Sequence, residues 1–396
     1  MNFIDLPDKL SSIELLKDIL VEKQAHLPKK IDQPLVLYGA GELGQMAKKY
    51  FDKIAIQVEY VIDLSADRWR AQAIWKGTKI LYPNEVSYEQ KQQQLLAICI
   101  VKIPYTPLAK NLLKQGWKSI IPFYDLAEVY RDYHPLSNGW FANIFASDDS
   151  NQISNVLNLW SDDISRAHHL QFIAWRQLRQ EWVFEQAPVE TENRFFIPEV
   201  LEKLTDRESF ADVGAHHGKV TENFLNLTDG QFDKIWMIEP DIKNLKELNY
   251  CLDNMEQKTR NKIRVFSEVI GDKPERQYFF DGLGYASQLS TLGKNRVDVT
   301  SIDGINIAPT FIKLHLEGGE LAALKGAIKT ILTYRPIIVL TSYHNDEGLW
   351  KLPRWLMDNL NNYQFYMRLH SWCGTGAVIY CIPKERKNIK NQVKMK

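Results

Sequence analysis

The chain predicts an α/β protein with two Rossmann-like domains in tandem. The C-terminal one carries a seven-stranded sheet with an antiparallel edge hairpin. Three observations predict this. Short apolar runs alternate with helix-length amphipathic segments in two separate blocks. A glycine-rich turn follows the first apolar run of each block. The last two apolar runs are joined by a short turn alone. The 396 residues allow two or three domains, and 45% hydrophobic side chains suit buried cores, not a disordered chain.

Residues 1–30 read as an N-terminal helix, with Leu10, Ile13, Leu16 and Leu20 at helical spacing and Pro28 as its stop. Residues 31–130 read as a small Rossmann-like domain of nucleotide-binding type. Its strands are PLVLY (34–38), VEYVID (58–63), LLAICIVKI (95–103) and WKSIIPF. Helices are expected at 42–51 and over TPLAKNLLKQG, stopped by Gly116. Residues 131–204 form a helical connector. Trp160, Ile164, Leu178 and Trp182 make an apolar stripe there, read as packing between the domains in preference to a ligand surface.

Residues 205–383 resume the alternation. SFADVGAH, KIWMIEPD, KIRVFSEVIGD, TFIKLHLEG and RPIIVLTSYH are five parallel-type strands. YQFYMRLHS and GAVIYCIP pair antiparallel around Gly374 and Gly376. That order matches the class I methyltransferase sheet; a dinucleotide fold would continue with helix-linked parallel strands. Residues 384–396 are a basic tail, with six positive charges against one negative, read as a solvated end.

Composition narrows the function. Lys plus Arg and Asp plus Glu are both 49, a balance that argues against a nucleic-acid partner. No apolar run reaches a membrane span, and the N-terminus lacks the basic and apolar regions of a secretory signal. Cys99, Cys251, Cys373 and Cys381 are scattered, as reduced thiols of a cytoplasmic protein would be.

The first glycine-rich turn is Gly39-Ala-Gly41-Glu-Leu-Gly44, between a strand and a helix. Its glycines permit a tight turn, close approach of a phosphate and close helix–strand packing. Asp63 ends the next strand, where a carboxylate can accept from a ribose. A nucleotide or nucleotide sugar could sit there, or the loop could be architectural. No hydride-transfer residue stands out nearby.

The second is Asp212-Val-Gly214-Ala215-His216-His217-Gly218. This spacing offers no phosphate cradle. It suits a sulfonium nucleoside, whose amino-acid part needs close backbone approach and whose ammonium needs an acid. Glu239 ends the next strand and can take both ribose hydroxyls. Gly271-Asp272 follows the third strand, where an adenine edge would lie. The three acids end consecutive strands, on the ligand-bearing edge of such sheets. For each acid alone, a cap or turn role is the competing reading.

The third motif is Lys313-Leu-His315-Leu-Glu317-Gly318-Gly319-Glu320. Lys313, His315 and Glu317 alternate, so they are expected on one strand face. An internal Lys–Glu pair is one reading; contact of His315 and Glu317 with cofactor or substrate is the other. Tyr343-His344-Asn345 follows the fifth strand at the same edge, with His344 either a core histidine or a base. His370 is a weaker candidate base. His315, Glu317 and His344 could converge on a metal, but no HExxH-type spacing is present and none is expected.

The runs DVGAHHGKVT, IEPD, FIKLHLEGGELAALKGA and RPIIVLTSYHN, in that order, resemble the FkbM-type family of S-adenosylmethionine-dependent methyltransferases over residues 205–383. The resemblance implies methyl transfer, usually to a hydroxyl oxygen of a glycan, polyketide or related metabolite. It implies S-adenosyl-L-methionine as cofactor, with Asp212, Gly214 and Gly218 matching the cofactor loop and Glu239 the ribose-binding acid; Ala215 within that loop and Asp272 after the third strand complete the expected cofactor site. Lys313, Glu317, Gly318 and Glu320 match the family's lysine and EG-x-E segment. His216 and His315 depart from the family's usual Asn and Asp.

The sequence therefore predicts an O-methyltransferase acting on a saccharide or other small-molecule acceptor, with His315, Glu317 and His344 as candidate catalytic residues. The alternatives are an NAD-dependent oxidoreductase acting through Gly39–Gly44, and a non-catalytic nucleotide-binding protein.

Overall fold

A computed structural model describes residues 2–22, 30–136, 147–282 and 286–387. The expected stop at Pro28 and most of the basic tail lie outside them. A first strand, β1 (Asn2–Ile4), precedes a helix over Lys9–Val21. That helix is shorter than the 1–30 expected. Asp8 caps it by accepting from the Ser11 amide at 2.8 Å. Leu16 and Ile19 are buried, but Leu10 is exposed, so the apolar stripe begins one turn later than its spacing implied.

The front block forms a five-stranded parallel sheet of β2 (Leu35–Tyr38), β3 (Val58–Ile62), β4 (Ile80–Leu81), β5 (Leu95–Ile98) and β6 (Ser119–Pro122), ordered β4-β3-β2-β5-β6. The two-residue β4 escaped the sequence reading because it is too short to show a period. Helices over Glu42–Lys53 and Tyr105–Lys114 flank this sheet.

In the connector, helices span Ser147–Leu159 and Asp163–Leu178, and β7 (Trp182–Phe184) pairs in parallel with β1. Trp160, Leu178 and Trp182 are buried, and Ile164 is partly so. They pack into the core of the C-terminal sheet, together with Leu16 and Ile19. The stripe is thus core, but it faces the second sheet instead of joining two sheets.

The C-terminal block contains β8 (Ser209–Val213), β9 (Lys234–Ile238), β10 (Ile263–Phe266), β11 (Val269–Ile270), β12 (Glu275–Phe280), β13 (Gln288–Leu289), β14 (Asn295–Thr300), β15 (Phe311–Leu314), β16 (Ile337–Thr341), β17 (Tyr363–Leu369) and β18 (Ala377–Pro383). Seven of them form one sheet in the order β10-β9-β8-β15-β16-β18-β17. The first five run parallel; β18 is antiparallel to both β16 and β17. Strand order reverses between β8 and β15, and ligands of such sheets bind outside the C-terminal strand ends at that point.

Alternation along the strands builds two cores. Ala211, Val213, Ile312 and Leu314 face one; Phe210, Phe311, Ile337 and Val339 face the other. The edge strand β17 is covered, not open: its Phe365 and Met367 amides donate to Ser161 and Ser165 hydroxyls, each at 2.9 Å, and Leu369 to His168 Nδ1 at 3.2 Å.

The expected third strand is broken. β10 stays in the main sheet, while β11 leaves it to join a four-stranded sheet ordered β11-β14-β12-β13. This small sheet lies beside the switch point and was not foreseen.

Candidate functional site

The loops after β8, β9, β11, β15 and β16 meet around a cleft of about 380 Å³. Gly214 brings two of these loops together. Its φ is +77°, and a Cβ there would stand 2.0 Å from the His315 carbonyl oxygen, so no other residue fits. Gly218, at φ +80°, starts the following helix, and Ala215 packs into the core below.

Glu239 is 5% exposed and lines the cleft. Its Oε2 accepts from the His216 amide at 2.8 Å; its Oε1 accepts from the Asp241 amide at 2.9 Å and the Asn244 amide group at 3.1 Å. A carboxylate offers about four acceptor sites, so this one braces the glycine-rich loop and still has capacity for a ligand. Burial raises its pKa, against the opposing effect of those three donors.

Two expected cofactor acids lie elsewhere. Asp212 is fully buried, with Oδ1 held by Lys313 Nζ at 2.8 Å and Oδ2 by the Thr221 hydroxyl at 2.8 Å. Asp212 and Lys313 are register partners on β8 and β15, which places them side by side on one sheet face. Lys313 Nζ also donates to the Gly214 carbonyl at 2.6 Å. The lysine thus has an aspartate partner, not the glutamate weighed from sequence, and the pair braces the loop from behind.

Asp272 is exposed and does not line the cleft. The departure of β11 from the main sheet puts Glu268 on the cleft wall in its stead. Glu268 Oε2 is buried without a hydrogen-bond partner among the described residues. Gln277, Phe279, Gln288 and Leu289 of the small sheet close the same side.

β15 ends at Leu314, so His315 and Glu317 belong to a loop and not to the strand face on which Lys313 sits. Glu317 has φ +50°, a left-handed conformation costly for a non-glycine residue. Glu320 enforces that turn. Its Oε1 accepts from the Leu316 amide at 3.0 Å and the Thr341 hydroxyl at 2.7 Å, and its Oε2 accepts from the Gly318 amide at 2.9 Å.

The three candidate catalytic residues come together here. Glu317 Oε1 lies 3.2 Å from His315 Nε2 and 3.4 Å from His344 Nε2, while His344 Nδ1 contacts Glu320 Oε1 at 3.0 Å. Burial opposes charge on His344, but the two carboxylates outweigh it and its pKa lies well above the usual histidine value. Burial also acts to raise Glu317, yet His344 and His315 hold its carboxyl below the usual range. His315 is lowered to about 3, chiefly by burial. His344 is therefore an imidazolium between two carboxylates, and His315 is neutral.

The donor atoms of His315, Glu317 and His344 lie within 4.8 Å of one another, a spacing a divalent cation can bridge. Without a cation, the cluster is held by the hydrogen bond from His344 Nδ1 to Glu320 Oε1 and by the close approach of both histidines to Glu317. Arg194 Nη2 lies 3.3 Å from His315 Nδ1. A guanidinium only donates, so the proton of His315 sits on Nε2, facing Glu317. His344 has a carboxylate at each nitrogen.

His315 and Glu317 also line a second cleft, of about 470 Å³, on the other side of the cluster. Its far wall comes from the front block: Glu42, Leu43 and Met46 of the helix over Glu42–Lys53, with Val101, Lys102 and Tyr124. The blocks are joined beside it. The Trp372 amide donates to the Val101 carbonyl at 2.7 Å, and Arg179 Nε reaches Asp125 Oδ2 at 3.1 Å. His370 lines this cleft, with Nε2 on the Tyr380 hydroxyl at 2.7 Å.

The front glycine loop is built differently. A Cβ on Gly44 would stand 2.0 Å from the Gly39 carbonyl, so that glycine serves helix–strand packing. Gly39 has φ +105° beneath Cys99 and Ile100, and Gly41 caps the helix in extended conformation. Asp63 accepts from the amides of Ala40 and Ser65, both at 2.7 Å, so both its oxygens are engaged in holding the loop. Glu42 puts a carboxylate in the first helical turn, where a phosphate would otherwise meet the positive dipole end. The geometry favours the architectural reading.

Strand order, switch-point cleft and terminal hairpin together define a class I methyltransferase fold. Residues 212–367 match the family model described as the methyltransferase FkbM domain. Residues 212–367 thus resemble the FkbM methyltransferase domain. Among solved structures, methyltransferase FkbM from Methylobacillus flagellatus KT is similar with a TM-score of 0.62 at 20% identity, covering 94% of this chain and 98% of that one. A precorrin-6y C5,15-methyltransferase from Geobacter metallireducens GS-15 has a TM-score of 0.30 at 14% identity, covering 50% of this chain and 93% of that one. No curated protein matches the chain.

Glu268 and Arg194 were missed by the sequence reading. Glu268 was hidden inside an apparent strand. Arg194 lies in a stretch read only as connector, and no local pattern marks it.

Proposed function

We propose that the protein is an S-adenosyl-L-methionine-dependent methyltransferase acting on a hydroxyl oxygen of a saccharide or related metabolite. One observation carries this reading: His315 and Glu317 stand where two clefts meet, one lined by Glu239 at the switch point and one walled by the front block. The first cleft fits the cofactor, because the unpartnered oxygen of Glu268 and the spare capacity of Glu239 await hydroxyl or amine donors. When bound, the cofactor supplies a methyl group already activated by its sulfonium.

The chain's own task is to orient an acceptor oxygen and take its proton. His344, already protonated, cannot take it. Neutral His315 presents its Nδ1 lone pair for this while its Nε2–H faces Glu317; with burial holding its pKa near 3, the proton passes to it only as the oxygen bonds the methyl and the hydroxyl becomes acidic. The carboxylate then stabilises the imidazolium that forms. Glu320 and His344 hold Glu317 in place, as positioning residues.

The test is methyl transfer from labelled cofactor to candidate saccharides. His315→Ala and Glu317→Gln should lower turnover by about 100-fold or more while S-adenosylhomocysteine still binds. Full activity in both variants would refute the assignment. The front block's role in this reading is to wall the acceptor cleft. A stabilising shift with NAD and none with S-adenosylhomocysteine would instead favour an oxidoreductase.

A further inference from the structure

Arg194 sits in the wall of the acceptor cleft, partly buried. Its backbone is fixed: the carbonyl accepts from the Tyr380 hydroxyl. Its guanidinium lies over the Phe195 ring, 4.7 Å from the centroid. The N–H groups reach neutral acceptors at long range, Tyr343 Oη at 3.4 Å and His315 Nδ1 at 3.3 Å. Among the described residues it forms no ion pair with a carboxylate.

That is an under-satisfied cation. A guanidinium presents five N–H donors in a planar fork that matches carboxylate or phosphate in two parallel bonds. Here two of them make long bonds to neutral groups. Lys219 and Lys102 stand on the same cleft wall. Lys102 pairs with Glu192 at 3.6 Å, but both side chains are largely exposed, so the pair is weak. Of the two acids on the wall, Glu317 is engaged by two histidines, and Glu42 lies on the front helix.

We infer, resting on the methyltransferase reading, that the acceptor taken by this cleft carries an oxyanion, a carboxylate or a phosphate, and that Arg194 anchors it. The anion replaces two long neutral contacts with charge-assisted bonds. It also competes with His315 Nδ1 for the same guanidinium. An acidic acceptor therefore frees the nitrogen lone pair that is to take the hydroxyl proton, and a neutral analogue leaves it occupied.

The test uses the full chain saturated with S-adenosylhomocysteine. Inorganic phosphate, D-glucuronate and D-glucose 6-phosphate are titrated by calorimetry, with neutral D-glucose as control. Acidic probes should bind at least about tenfold more tightly than glucose. Arg194→Gln should weaken them about tenfold or more, with Arg194→Lys between. Preference for glucuronate assigns a carboxylate, and preference for the phosphates assigns a phosphate; either supports the proposal. Equal binding of glucose, no binding of any acidic probe, or unchanged affinity in Arg194→Gln overturns it. Stabilisation by S-adenosylhomocysteine is read separately. Its retention shows that the variants are folded, and its absence in the wild type counts against the methyltransferase reading alone.

Discussion

Lys313 shows how a residue's chemistry can be right and its role misread. A lysine in a buried strand signals an unusual site, and it is 1% exposed. Register gives it Asp212 as partner, so the charge is spent on structure. Breaking such a pair leaves a buried carboxylate uncompensated. Lys313→Met should destabilise the fold by about 3–5 kcal/mol, read as a lower urea midpoint; a change under 1 kcal/mol would show that the aspartate finds another partner. His315, Glu317 and His344 were legible one by one, because polar residues after strand ends were the only ones the pattern did not need for the core. Their protonation states were not legible. Those depend on Glu320 and Arg194, which the fold alone brings within hydrogen-bonding distance.

At the scale of elements, the strands of the main sheet and their hairpin could be read because they are mostly apolar runs, with β8, β15, β16 and β18 buried throughout and only β10 and β17 keeping exposed or half-buried positions within the run. The small sheet could not. β12 and β14 have mostly exposed or half-buried residues, so their apolar signal is weak. The loop between β8 and its helix depends on one close approach. Gly214→Ala should abolish S-adenosylhomocysteine binding or unfold the domain, because the added methyl meets the His315 carbonyl. A variant that binds normally would mean that the two loops separate freely. Glu181 links the blocks at another element end. It accepts from the Tyr105 amide and, at 2.8 Å, the Thr106 amide, at the start of a front-block helix. Glu181→Ala removes a cap worth about 1 kcal/mol and should lower the thermal midpoint.

For the molecule as a whole, buried histidines set the acid limit. His134, His168 and His169 are lowered to about 4, and His216, His315 and His370 to about 3, each chiefly by burial. The unfolded chain protonates near the ordinary value of about 6.5, while the folded one resists. Their contribution is therefore present above about 6.5 and is lost as pH falls towards 3. His344 has the opposite sign: its raised pKa favours the folded state below about 6.5, and that contribution fades at higher pH, above its folded value. Six groups oppose one, so the thermal midpoint should fall steeply from pH 6.5 to 4; a flat profile would contradict their burial as neutral rings. Chelation probes the same cluster. If protons and not a cation bridge His315, Glu317 and His344, EDTA should leave methyl transfer unchanged, whereas a loss restored by a divalent ion would reassign the trio as a metal centre.

The central claim is that the cleft at the switch point holds the methyl donor through Glu239. Its most direct test is thermal unfolding of the wild type and Glu239→Ala with S-adenosylhomocysteine. At a hundredfold excess over Kd a ligand stabilises the native state by about 2.7 kcal/mol, a shift of several degrees. A rise in the wild type that is absent in Glu239→Ala is the predicted result. No rise in the wild type, or an equal rise in both, would contradict it.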